Sequence, residues 1–328
     1  MFALRLATAG MMGVRRGVHV AAAATAGRAG AAAEARRAAS GAAEGYEFET
    51  LAVTEPRRSV FVVNLNRPDK LNAMNGVFWR EIGECFDKLA DDPSCRAVVL
   101  GAEGRIFTAG LDLMDFAGIV GVGGGGEGEE EGAADVARRG RVMHKKIKEF
   151  QHSFSSLERC PKPVVAAVHG ACVGGGVDLI SGADIRYCTD DAWFQIKEVD
   201  VGLAADVGTL QRLPKVVGGQ SLARELVFTA RKMFSAEALQ CGFVSRTFEN
   251  KESLVAGAVE VAATIASKSP VAVQTSKIAL VYSRDHTVEE GLDYMAKMNS
   301  LMLQSEDLRI AAMALMSKGE TKPLFSKL

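Results

Sequence analysis

Pro163-Val-Val-Ala-Ala-Val-His-Gly-Ala-Cys-Val-Gly-Gly-Gly-Val-Asp178 carries the fold in one short stretch. Its apolar run, Val164 to Val168, is bounded by Pro163 and Gly170 and reads as a short buried strand. Three consecutive glycines then clear every side chain from the backbone just before a helix begins, and a helix N-terminus offers unpaired N–H groups to an anion. Upstream, Val60 to Leu65 (VFVVNL) reads as a first strand, closed by Asn66-Arg67-Pro68-Asp69, and Ala97 to Leu100 (AVVL) as a second, ending at a Gly-rich turn. A helical pattern runs between them from about Asn75 to Leu89. Short apolar strands alternating with amphipathic helices predict a layered α/β fold with crossover connections. From about Lys251 helical patterns dominate: Leu254 to Ala266, Val271 to Tyr282 and Val288 to Met316. In the last of these, Leu292, Met295, Met298 and Met302 form a stripe suited to packing or to a subunit surface.

At 328 residues the chain has room for one large domain with appendages. Hydrophobic residues at 48%, charged residues at 24% and a formal net charge of -1 describe an ordinary globular protein and argue against nucleic acid as a partner. Cys85, Cys95, Cys160, Cys172, Cys188 and Cys241 are scattered, with no C-x-x-C pair and no histidine at ligand spacing. Neither a metal site nor a disulfide framework is expected.

The two ends read as addresses. Arg5, Arg15, Arg16, Arg28, Arg36 and Arg37 lie among alanines, and the first acidic residue is Glu34, a mitochondrial presequence pattern. The apolar stretches there are too short and too interrupted for a membrane span. Ser326-Lys327-Leu328 is the tripeptide read by the peroxisomal import receptor. Mitochondrial matrix and peroxisome are the expected locations. The expected division is residues 1–50 as presequence and linker, 51–258 as core and 259–328 as a C-terminal helical region. Gly121 to Gly132, rich in Gly and Glu, reads as a surface insertion, with a lid over a pocket as the alternative.

Phe107-Thr-Ala-Gly-Leu-Asp-Leu113 and His169 to Leu179, taken together, resemble two motifs of the crotonase (enoyl-CoA hydratase/isomerase) superfamily. Asn66-Arg67-Pro68 with Asn72-Ala73-Met74, Lys197-Glu198-Val199 with Gly202, and Gln211-Arg212-Leu213-Pro214 extend the resemblance over about residues 55–328. It implies a β-β-α spiral core with a C-terminal helical region, a fatty acyl-CoA substrate, and a homo-oligomer, trimer or hexamer. No cofactor is implied, coenzyme A being part of the substrate. Its adenine end would lie near Arg67 to Met74.

The resemblance also implies that the N–H groups of Ala109 and Gly175 form an oxyanion hole, within a substrate-binding set of Ala109, Gly110, Leu111, Asp112, Leu113 and Gly175. Two donors aimed at a thioester oxygen would stabilise the enolate formed when a neighbouring proton leaves. Three acids, Asp178, Glu198 and Asp206, resemble the pattern of the dienoyl-CoA isomerases within the family, where hydratases have two glutamates and a glycine. On that likeness the reaction is isomerisation of 3,5-dienoyl-CoA to 2,4-dienoyl-CoA in fatty acid β-oxidation. Glu198 is then the base at C2, Asp206 the acid at C6, with the reverse assignment open, and Asp178 sits near the reacting carbons. Hydration of 2-enoyl-CoA is the second expectation, and a non-catalytic RNA-binding or scaffold role a distant third.

Overall fold

The computed structural model describes residues 42–115, 135–317 and 322–328. Residues 1–41 of the presequence reading and the Gly121 to Gly132 insertion lie outside them. Seven strands form one sheet in the order β1-β2-β3-β4-β5-β7-β10: β1 (Ala42–Glu47), β2 (Leu51–Arg57), β3 (Val60–Leu65), β4 (Ala97–Ala102), β5 (Val164–Val168), β7 (Ile185–Thr189) and β10 (Arg246–Phe248). From β3 onward neighbouring strands are parallel, while β2 and β3 run antiparallel. A small second sheet joins β6 (Ala171–Val173), β8 (Trp193–Gln195) and β9 (Met233–Phe234). The chain therefore passes from large sheet to small sheet twice, from β5 to β6 and from β7 to β8, and this alternation is the expected spiral.

Alternation of side chains along the central strands feeds two cores. Phe61, Val63, Val98, Leu100, Val164, Ala166 and Val168 face one, against helix α1 (Gly76–Asp91), α2 (Val136–Arg159) and α3 (Gly175–Ser181). Val60, Val62, Ala97, Val99, Val165 and Ala167 face the other, closed by α7 (Lys251–Ala266). That helix presents Leu254, Ala258, Ala262 and Ala266, one every fourth residue, so small side chains let its axis approach the sheet. Helix α1 begins where Asn75 caps it, its side chain accepting from the Phe78 N–H at 3.0 Å, and buries Phe78, Trp79, Ile82, Cys85, Phe86 and Leu89.

Several boundaries differ from the sequence reading. The linker expected up to residue 50 already contains β1, whose Tyr46 hydroxyl donates to Asp92 at 2.8 Å, and the unexpected strand β2 follows. A division at residue 258 cuts through α7, which packs on the sheet and belongs to the core. Val288 to Met316 is two helices, α9 (Val288–Met302) and α10 (Glu306–Met316), preceded by α8 (Pro270–Arg284). The remaining helices are α4 (Thr209–Val216), α5 (Gln220–Thr229) and α6 (Ser235–Gln240). Among the described residues no single helix is long and apolar enough to cross a membrane.

Candidate active site

Backbone geometry at the first Gly-rich turn is set from beneath by two buried side chains. Asn72, itself at φ 54°, holds the turn from inside: its Nδ2 donates to the carbonyls of Glu103, Ile106 and Phe107. The Thr108 hydroxyl donates to the Asn72 carbonyl at 2.7 Å and accepts the Gly110 N–H at 3.0 Å. Gly110 is at φ 89°, and a Cβ there would stand 2.8 Å from the Val173 carbonyl oxygen, so only glycine fits between this turn and the second one.

These bonds redistribute the amides. The Ala109 N–H, expected to serve the oxyanion hole, is consumed by the Leu71 carbonyl at 2.9 Å. The unbonded amide of this turn is that of Leu111: Gly110 gives its carbonyl to Met74 N–H and Asp112 its N–H to the Met74 carbonyl, leaving the Leu111 N–H between them with no acceptor among the described residues. Gly175, first residue of α3, likewise keeps its N–H unbonded, since its neighbours Gly174 and Val177 bond to Gln195 and Gly174 carbonyls. Both residues line one cavity of about 420 Å³. Asp112 does not line it; its carboxylate pairs with Arg67 at 3.2 Å and anchors the turn. Leu113 does line it, with more than half its surface exposed.

Aliphatic and aromatic side chains make most of the remaining wall. Trp79 of α1 lies beside Phe150 and Phe154 of α2, ring centroids 4.4 and 4.3 Å apart, and Met143, Ile147 and Phe150 present one face of α2 to the cavity. Val201, Leu203 and Val207 close the other side. Nothing in a helical periodicity distinguishes these wall residues from ordinary core, so they were not legible as a pocket beforehand.

Two of the three acids, Glu198 and Asp206, share this cavity. Glu198 opens a 3₁₀ turn, Glu198–Val201, and burial, then the nearby Asp178 charge, push its carboxyl up to about 7. Asp178, on the first turn of α3, does not reach the cavity wall: it lies behind Glu198, with none of its surface exposed. Its Oδ1 accepts the Thr209 N–H at 2.6 Å, and burial pushes the group up to about 6 against that bond. Asp178 Oδ2 and Glu198 Oε2 are both closed off from solvent and have no hydrogen-bond partner among the described residues. The Asp178 charge beside it favours a proton on Glu198, so the two groups titrate as a pair.

Asp206 sits where the cavity meets solvent, more exposed than a wholly dry site would leave it. Partial burial still raises its pKa above the ordinary carboxylate value. Its backbone carbonyl accepts from Gln151 Nε2 of α2 at 2.8 Å. Thr209 and Asn72 were not among the expected site residues; each stands next to or within a quoted motif, but only the fold shows what each one holds.

Residues 55–121 and 131–325 match the family described as Enoyl-CoA hydratase/isomerase. A Mus musculus protein named Delta(3,5)-Delta(2,4)-dienoyl-CoA isomerase, mitochondrial, is 54% identical over 284 residues, which is 86% of this chain and 84% of that protein. An Arabidopsis thaliana protein of the same name, designated peroxisomal, is 44% identical over 270 residues, 82% of this chain and 94% of that protein. The crystal structure of an enoyl-CoA hydratase from Bacillus anthracis superposes with a TM-score of 0.73 at 25% identity, covering 85% of this chain and 99% of that one. The family match, the relatives and the solved fold each cover more than three-quarters of the chain, and the chain belongs to the enoyl-CoA hydratase/isomerase family.

Proposed function

We propose that this chain isomerises 3,5-dienoyl-CoA to 2,4-dienoyl-CoA in the degradation of unsaturated fatty acids. The observation that carries the reading is the pair of carboxyls, Glu198 and Asp206, standing at separate points of one largely apolar cavity whose wall also offers two unbonded amides. The relatives named for this reaction support it. With the thioester oxygen between the Leu111 and Gly175 N–H groups, Glu198 removes a C2 proton. The C2–H electrons become the C1–C2 double bond of an enolate conjugated with the diene, its charge held by the two amides, each such donor being worth about 3 kcal/mol. Asp206 then delivers a proton to C6, the double bonds settle at C2 and C4, and the carbonyl is restored. The sum is redox-neutral and moves only protons, so the reaction calls for no redox cofactor.

Asp178 acts through Glu198, raising its affinity for the proton it takes. Hydration would use Asp178 and Glu198 alone and leave Asp206, a third carboxyl on the same cavity, without a role. Incubation with 3,5-octadienoyl-CoA and, separately, 2-octenoyl-CoA, with products separated by mass spectrometry, tests the reading. A 2,4-dienoyl product is expected; a 3-hydroxyacyl product alone would overturn it.

The chain works in mitochondria and peroxisomes, as the designations of its relatives support. It assembles as a homo-oligomer: Leu280, Leu292 and Leu315 of α8, α9 and α10 are each more than two-thirds exposed, an apolar surface for a second copy.

A further inference from the structure

Asp206 lies in an irregular segment, residues 203–208, between the 3₁₀ turn at Glu198 and helix α4. Three hydrogen bonds tie it down. At its start the Leu203 N–H donates to the Glu198 carbonyl at 2.9 Å, and just past its end the Thr209 N–H donates to Asp178 at 2.6 Å. The third falls on Asp206 itself, from Gln151 Nε2 to its carbonyl oxygen at 2.8 Å. Gln151 is oriented in turn by Lys148, whose Nζ donates to its Oε1 at 2.9 Å, so the amide presents its NH₂ to the segment and its oxygen to the lysine. Met143, Ile147 and Gln151 follow one another at four-residue spacing, so the helical stripe that walls the acyl cavity also ends in the tether to the acid.

We propose that Gln151 is a positioning residue for the second proton transfer, fixing the reach of Asp206 so that its carboxyl meets C6. The inference rests on the reading of Asp206 as the acid at C6. An acid on a segment without regular structure has no ladder or helix to hold it, and a misplacement of about 1 Å can cost on the order of a hundredfold in rate. Gln151 supplies that constraint from the element the acyl chain lies against. Removal of the C2 proton by Glu198 does not draw on the Gln151 tether or its lysine. The two half-reactions therefore separate in a Gln151 variant.

The test uses full-length protein in D₂O with 3,5-octadienoyl-CoA, following isomerisation by the gain of conjugated absorbance and C2 deuteration of recovered substrate by mass spectrometry. Gln151→Leu removes the tether. Gln151→Glu keeps the shape but places a carboxylate against the Asp206 carbonyl, and so tests the same point should the leucine variant fail to fold. Isomerisation kcat is expected to fall roughly tenfold or more, KM to stay within about twofold, and C2 exchange to persist at close to the wild-type rate. An unchanged kcat, or C2 exchange falling in step with isomerisation, overturns the proposal. Wild-type protein that turns over no dienoyl substrate would instead overturn the functional reading on which it rests.

Discussion

At Asp178 and Glu198 burial works against two charges at once, and at Glu198 the neighbouring Asp178 charge adds to it. Glu198 must be ionised to take the C2 proton, so kcat/KM is expected to rise with pH through about 7. Asp178→Asn removes the second cause of that elevation, and the rising limb should move to lower pH; a pH–rate profile reads the displacement directly. The same pair leaves a mark on stability. Folded values of about 6 and about 7 lie above the ordinary 3.8 and 4.5, so the stability owed to the neutral forms is fully present below about pH 3.8 and is lost as pH climbs through the folded values. Asp178→Asn, which cannot ionise, should gain stability over wild type at pH 8 that it lacks at pH 4, as thermal unfolding at the two pH values will show. Asp206→Asn leaves the cavity's shape intact and removes a transferable proton; kcat should fall about 10²- to 10⁴-fold with KM little changed. The carboxyls themselves were legible in the sequence because their neighbours Gly174 to Val177, Lys197 and Gly202 are distinctive. Their grouping was not: only the fold shows that Asp178 stands behind Glu198 and that Asp206 stands apart at the solvent boundary.

Turns and strands were legible to different degrees, for reasons that lie in how each element is stabilised. β3, β4 and β5 are continuous apolar runs because both faces of a central parallel sheet are covered, and such runs announce themselves. β2 was missed because its second half, Thr54-Glu55-Pro56-Arg57, is polar, carries a proline and turns toward solvent. One of the two amide donors differs from the expectation for another reason. Which N–H stays unbonded at the Ala109 to Leu111 turn depends on where the Leu71 carbonyl lies, and no side chain records that. Gly110→Ala tests the turn. An alanine at φ 89° facing the Val173 carbonyl must shift the backbone that carries the Leu111 N–H, so kcat should drop by about 10²-fold or more, as loss of one oxyanion donor does. Steady-state kinetics beside a melting curve will separate that loss from unfolding.

Across the whole molecule, the C-terminal helices are joined to the core by a buried cation. Lys277 of α8, its side chain 4% exposed, pairs with Asp184 at 2.7 Å and donates to the carbonyls of Leu157 and Lys162. Lys277→Met strands three acceptors and should cost about 3 kcal/mol or more, measured by denaturant unfolding, with KM for substrate unchanged. No local pattern foretells a contact between residues so far apart in the chain, and this is why the helical region read as a separate unit in the sequence. The passage of the chain from one sheet to the other has a wider bearing. Asp178, Glu198 and Asp206 all fall in the intervals between ladders, where no inter-strand bond depends on them. An acid can be exchanged there for another residue while the frame stays as it was, so a scaffold of this kind is free to trade one proton-transfer chemistry for another without refolding.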